Sequence, residues 1–422
     1  MNWQMLPFAK VAEVITGNTP SKKEPENYGY GIPWVKPHDL EAWEPITKTE
    51  ETLSEIGQKK SRLIPPGSVM VCCIGSIGKV GIAGTKLATN QQINSLIFKP
   101  EIEPKFGYYY CCHILPIFKS EARQAVVSIL NKSNFEKITI PVPAISEQRR
   151  IVQILDQADA LRRMRAEADV KGDRILPALF IKMFGEPSTW TDINTETLGS
   201  LVNIQSGGTP SKKNPDYWDG DIPWVSPKDM KQDIIFDSID HISQKAIEET
   251  NIKYVEPGAI LIVVRGMILA HTIPIALAAT RLTINQDMKA LYPDCNYIDS
   301  TYLHSALKAS SRKILSQVGT AGHGTRKFDT DELLNLQILI PSQEQLKKFQ
   351  IAVTECRASL TGINRTKEKL EKLFDVLLYR AFSGELTAKW REAHMKELLT
   401  EMEEQAKALK CKTDSNYKQL IL

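Results

Sequence analysis

Residues 17–39 read GNTPSKKEPENYGYGIPWVKPHD, and residues 207–229 read GGTPSKKNPDYWDGDIPWVSPKD. The second stretch follows the first by 190 positions without a gap, and thirteen positions are identical, among them Gly17, Thr19, Pro20, Pro25, Pro33, Trp34 and Asp39. Chance does not align so many Gly, Pro and Trp residues, each of which fixes backbone or packing. A period this long means duplicated domains rather than a solenoid. The echo continues outward. Pro66-Gly67 opens the apolar run VMVCCIG and Pro257-Gly258 opens AILIVVRG. Asn90-Gln91 answers Asn285-Gln286, and FEKITIPVPAISEQRRI (135–151) answers ELLNLQILIPSQEQLKKF (332–349). The chain is two related halves in tandem.

Composition bounds the reading. A chain of 422 residues exceeds what one core usually serves. No apolar run approaches a membrane span, and MNWQMLPFAK lacks a secretory pattern, so a cytoplasmic location is expected. The seven cysteines show no CxxC or Cys/His ligand spacing and read as small buried hydrophobes of a reducing compartment. The net charge of +3 does not by itself suggest a nucleic-acid binder. Residues 1–145 carry 16 Lys and Arg against 13 Asp and Glu, whereas residues 186–341 carry 14 against 19.

Taken in order, residues 1–145 alternate short β-branched runs with Pro, Gly and Asn punctuation, the pattern of strands and tight turns. Ile32–Val35 reads as a strand entry, Val69–Ile74 as a buried strand and Pro104–Arg123 as a helix interrupted near Pro116. From Ser146, a plausible N-cap, helix formers dominate, with apolar residues at Ile151, Ile154, Leu161, Ile175 and Leu179 and breaks at Arg165 and Gly172. In the second half Ser342 and Gln345 form a capping-box pattern, and the stripe runs through Phe349, Val353, Leu360, Ile363, Leu370, Phe374 and Leu377. Two long seams in equivalent places predict helices that pack on each other. One helix over 146–184 would be about 57 Å long, or about 39 Å if Gly172 ends it, at least one turn of B-DNA at roughly 34 Å. The fold class is α+β. The organisation is a first globular domain over 1–145, a helical spacer over 146–185, a second globular domain over 186–341, a second spacer over 342–387 and a charged helical tail over 388–422.

The GxTPS…IPWV blocks, the IPxPxxxEQxxI passage into each long helix, and the helix exits MFGEP (183–187) and RAFSGELT (380–387) carry a family resemblance. Over residues 1–387 the chain resembles the specificity subunit of type I restriction–modification systems. The resemblance implies two homologous mixed α/β target-recognition domains, each reading half of a bipartite double-stranded DNA target. It also implies a coiled-coil-like pair of antiparallel helices, with a pseudo-two-fold internal repeat, that fixes the gap between half-sites. Those helices would dock two adenine-N6 DNA methyltransferase subunits, with a translocating restriction nuclease joining the complex.

No catalytic residues, metal or cofactor are expected. Asn214-Pro215-Asp216-Tyr217 approaches the Asn-Pro-Pro-aromatic motif that holds a flipped adenine, but its twin is Glu24-Pro25-Glu26-Asn27, so it reads as a turn. Gly75 to Lys79 has the wrong spacing for a phosphate-binding loop, and the histidines form no HExxH-type cluster. Trp34 and Trp224 read as core, and the Asn-Gln pairs as turn anchors. Candidate DNA contacts fall in loops. Ser21, Lys22 and Lys23, repeated as Ser211, Lys212 and Lys213, are shared by both copies and suit phosphate. Base readers are expected where the copies diverge: Lys79, Asn131, Lys132 and Asn134 in the first copy, Arg265, His271, His323, Arg326 and Lys327 in the second. Two rival classes are a non-catalytic scaffold and the recognition subunit of another methylation-based defence system.

Overall fold

The runs that follow Pro66-Gly67 and Pro257-Gly258 become central strands, Val69–Cys72 and Ile260–Val263, in which every residue is buried. A strand covered on both faces has no polar positions to alternate with, which is why these runs read as continuous apolar sequence. The structure is a computed structural model describing residues 3–41, 44–115, 118, 130–172, 174–190, 194–294, 297–320 and 326–409; for 41, 320 and 360–365 only the backbone is described. The chain divides into two units, Met1–Ala166 with Arg365–Leu422, and Glu167–Asn364.

In the first unit an antiparallel sheet has the order Ala12–Thr16, Ile93–Phe98, Val69–Cys72, Val80–Ile82. A second, mixed sheet holds the strand of the repeated block, Tyr28–Val35, with Trp34 and Val35 parallel to Ala88 and Thr89. Gln4–Pro7 pairs with Thr139–Val142, so the start of the domain is fastened to the strand that leads into the long helix. The second unit repeats this plan. Its five-stranded sheet runs Val202–Ser206, Met288–Pro293, Ile260–Val263, Ile275–Ala278, Ile234–Ile235, and Trp224 and Val225 lie parallel to Thr283 and Ile284. Thr195–Thr197 pairs with Gln337–Leu339. Trp34 and Trp224 are core residues, 2% and 6% exposed. The helix expected from Pro104 spans Pro104–His113, and the remainder of that segment to Arg123 lies largely outside the described residues.

The long helices are Ile145–Gly172, continued after a break by Ile175–Phe184, and Gln343–Phe382. In the first unit Ile151, Val152 and Leu155 share one core with Phe374, Leu378 and Ala381 and with the globular domain's Phe106 and Tyr110. Across this seam Arg162 meets Glu371, and Glu147 meets Arg391 of the tail that follows the long helix. Leu161, expected on this seam, is 49% exposed. Arg162 takes the inward place instead: its guanidinium lies 4.2 Å from the Phe374 ring centroid and pairs with Glu371 at 2.7 Å and Asp159 at 3.0 Å. Ile154 and Leu370 are half-buried, and Leu377 packs on the core edge.

In the second unit the interhelical contact is aromatic. Phe180 and Phe184 lie 5.7 and 5.3 Å from Phe349, and both contact Tyr302. Val353 is buried with them and Leu179 packs alongside. Ile175, also expected inward, is 49% exposed, because the break before it resets the helical phase and brings Leu176, Phe180 and Phe184 round to the core. The side chains of Leu360 and Ile363 lie outside the described residues.

The helix starts are capped differently. Ser342 and Gln345 exchange the two bonds of a capping box, at 3.0 and 3.3 Å. Ser146 is not the N-cap, since the first helix begins at Ile145; its amide donates to the Glu401 carboxylate at 3.0 Å. Glu401 belongs to the tail, which forms helices Ala388–Ala393 and Met395–Ala408 against the first unit. Among the described residues no helix is long and apolar enough to cross a membrane.

Candidate nucleic-acid interface

A three-residue turn organises the loops in each unit. In the first, Asn90 is buried, donates its backbone N–H to Val35 and accepts from the Gln92 amide at 3.0 Å. The Gln92 carbonyl accepts from the Cys73 amide at 2.7 Å, which fixes the loop after the central strand. Gln91 is exposed, and its side-chain carbonyl accepts from the Thr19 hydroxyl, which fixes the lysine-bearing loop. One turn therefore holds both the repeated loop and the divergent one.

The second unit is built alike. Asn285 is buried, its side chain accepts from the Asp287 amide at 3.1 Å, and Thr209 donates to Gln286. The Asp287 carbonyl accepts from Val264 and Arg265 at 2.8 and 3.2 Å. The invariant first glycine of the motif follows from this geometry. A Cβ on Gly17 would stand 2.3 Å from the carbonyl oxygens of Thr89 and Asn90, and one on Gly207 would stand 2.0 Å from that of Asn285. The tryptophans brace the same place, donating to the Asn18 and Gly208 carbonyls at 3.3 and 2.9 Å.

On this frame Ser21, Lys22 and Lys23, like Ser211, Lys212 and Lys213, are exposed. Each serine hydroxyl accepts from the amide two residues on, at 3.3 and 3.4 Å, so the turn directs consecutive lysines outward. Among the described residues no carboxylate lies within ion-pair distance of these four ammonium groups. Cations outside ion-pair distance of the described carboxylates, on a loop tied to the Asn-Gln turn, suit a phosphate backbone, which asks for charge at a fixed position and for no base specificity.

The divergent loops differ in chemistry. In the first unit Ile74–Lys79 turns on Gly75 and Gly78, with φ of 75° and 92°. Leu130 donates to the Cys73 carbonyl at 2.9 Å, which sets Asn131 beside this loop. Asn131 and Lys132 already have structural work: the Asn131 side chain caps the helix Lys132–Lys137 by accepting from the Asn134 amide, and Lys132 pairs with Glu136 at 3.5 Å. The Asn134 side chain remains exposed. In the second unit Arg265 bridges to Lys327, Gly266 donates to the Arg326 carbonyl at 3.0 Å, and Phe328 donates to Val264 at 2.9 Å. Three cations separated by about sixty positions in the chain are thus brought together, with His271 exposed at the far end of the loop. Lys327 also pairs with Asp329. His323 lies outside the described residues. Sequence reading took the Asn-Gln pairs as turn anchors but missed Thr19 and Thr209 as the partners of Gln91 and Gln286, although their repetition in both copies was a usable signal.

The family model described as the type I restriction modification DNA specificity domain matches this chain twice, over residues 1–168 and 187–372. The chain belongs to that family. Among its relatives, the specificity subunit of the type I restriction enzyme EcoR124I/EcoR124II of Escherichia coli is 32% identical over 255 residues, 57% of this chain and 60% of that protein. The type I restriction enzyme MjaIX specificity subunit of Methanocaldococcus jannaschii is 24% identical over 422 residues, covering 91% of this chain and 94% of the relative. A solved chain from a study of complex assembly and conformational transition in a type I restriction–modification system superposes with a TM-score of 0.55 at 18% identity, covering 91% of this chain and 98% of that one. The specificity-family fold therefore extends over nearly the whole sequence, and the two family matches each contain one copy of the clasped turn.

Proposed function

We propose that this chain is the DNA sequence-specificity subunit of a type I restriction–modification complex and performs no catalysis itself. The observation that carries the reading is the duplicated frame, in which an invariant lysine loop and a variable loop grow from the same Asn-Gln turn in both units. Lys22, Lys23, Lys212 and Lys213 hold phosphates and set the register of each unit on the duplex. Lys79 and Asn134 in the first unit, and Arg265, His271, Arg326 and Lys327 in the second, face the base edges. Asn131 and Lys132 contribute by shaping the loop beside Lys79. The long helices set the distance between the two half-sites. The methyl transfer to adenine N6 is supplied by partner methyltransferase subunits docked on the helices, and cleavage by a nuclease subunit that joins them.

The test is long-read detection of methylated adenines in cells with and without the gene. Two short methylated blocks around a fixed unread gap are expected. No change in methylation would favour a scaffold, and an uninterrupted motif another kind of modification system. Exchanging residues 186–341 for those of a relative should then alter one block and leave the other.

A further inference from the structure

The loop Arg265–His271 has a composition that the fold does not require. Its anchors are Val264, Leu269 and Ile273, at 7%, 1% and 5% exposure, and Phe328 at 1% closes the core beneath it. Met267 stands apart from these at 66% exposure, directly after Gly266, whose φ of 135° turns the chain so that its neighbours project from the core. Full burial of such a side chain would be favourable. A loop that already buries Leu269 and partly buries Ile268 gains nothing for stability by placing a methionine in water. The loop itself is free of acidic residues from 264 to 271, Arg265 is exposed, and the paired strand adds Arg326 and Lys327, the latter paired with Asp329. This is a local reversal in a domain whose acidic residues outnumber its basic ones by five, 19 against 14 over 186–341. The matching loop of the first unit carries one cation, Lys79, and no exposed apolar residue. Gly75 and Ser76 are exposed but small, and Ile77 packs on the core.

We infer that the second unit reads its half-site through this apolar and cationic tip, Arg265 pairing with a guanine and Met267 resting on a thymine methyl. The first unit reads without such a tip. The inference rests on the DNA-recognition reading above and adds the chemical groups read. Guanine offers O6 and N7 as adjacent acceptors in the major groove, which a guanidinium fork matches in two parallel bonds. Thymine is the base that offers a methyl group there, and an exposed thioether side chain is a soft apolar partner for it. Arg265 and Met267 are two residues apart on one turn, so both address neighbouring bases in the same groove. Arg326 and Lys327, held to the same turn, address the neighbouring base positions of that half-site.

The experiment uses the full chain assembled with its methyltransferase subunits and duplexes carrying the motif found in wild-type cells. Arg265→Ala and Arg265→Lys should each lose discrimination at one guanine of one block by roughly ten- to a hundredfold. The other block should be read as before. For Met267, uracil replaces thymine one position at a time in the probe. Wild-type complex should weaken at one thymine of that same block, and Met267→Ala should be indifferent to the replacement. The uracil series on wild-type complex needs no variant, so it decides the matter even if a substitution prevents folding. Unchanged guanine discrimination in the arginine variants, or a uracil series without effect, overturns the assignment while leaving a bipartite motif intact. Equal loss in both blocks also overturns it. Absence of any bipartite methylation in wild-type cells sinks the underlying reading as well.

Discussion

Gly207 is a residue whose role depends on what is missing. The space a Cβ would need is occupied by the Asn285 and Ile284 carbonyl oxygens, at 2.0 and 2.4 Å. Both are backbone atoms of the turn that holds the two loops, so neither can move without disturbing the clasp. Gly207→Ala should cost about 1–3 kcal/mol by overpacking and should lower the second unit's unfolding midpoint in urea. Gly319→Ala, where the nearest atom is 3.8 Å away, should be near neutral and serves as the control. His304 is the second informative position. It is 3% exposed, its Nε2 has no hydrogen-bond partner among the described residues, and burial holds its pKa down from the ordinary 6.5 to about 4. Asp233 opposes that shift, whereas Lys308 on its own helix and Arg357 on the long helix add to it. As pH falls the unfolded chain takes up the proton near 6.5 and the folded chain only near 4, so the stabilisation is complete above 6.5 and is lost between 6.5 and 4. The loss should reach about 3 kcal/mol at most. Denaturant titrations at pH 7 and 4.5 should show it, and His304→Leu should flatten the dependence.

Among the elements, the tail is the one whose contribution could not be read from its own sequence. Arg391 donates to the buried Glu147 carboxylate at 2.8 Å, Thr387 and Trp3 donate to the same group, and Gln405 donates to the carbonyls of Glu101 and Pro143, as Gln148 does. Arg391→Met would leave Glu147, 1% exposed, without its cation, and should cost about 3–5 kcal/mol. Replacing both partners, Glu147→Gln with Arg391→Met, should recover part of that in thermal melts of the first unit. The partners are 244 positions apart, and nothing local in a charged helical tail marks one arginine among many. The long helices were easier to read. A 3–4 alternation identified Phe349, Val353 and Phe374, which lie buried, because a continuous helix keeps its phase. It missed Phe180 and Phe184, which follow a break, and placed Leu161 where Arg162 covers Phe374 with its guanidinium. Periodicity cannot distinguish an arginine that packs from one that is solvated. The duplicated block was the most legible feature, since its Gly, Pro and Trp each answer a backbone or packing demand met twice.

At the scale of the whole molecule the proposed function asks how a chain of net charge +3 would hold DNA. Residues 186–341 are net acidic, so binding cannot come from a general positive field and must depend on a few placed cations. The clasped loops supply four, Lys22, Lys23, Lys212 and Lys213, identical in both units while the neighbouring loops differ. If these touch phosphate, each releases counterions, and log K falls with log salt at about 0.9 per contact. Replacing all four by alanine in the methyltransferase-bound complex should therefore reduce the salt slope by roughly 3–4 and weaken cognate and non-cognate duplexes alike. The methylated motif itself should be unchanged, since phosphate contacts carry no sequence information. The purified chain alone, relying on so few contacts, should give no tight sequence-specific gel shift at physiological salt. Binding titrations across salt concentrations separate the alternatives. An altered motif would make the lysines base readers, an unchanged slope would remove them from the interface, and tight specific binding by the lone chain would mean that it needs no partner to complete its DNA-binding surface.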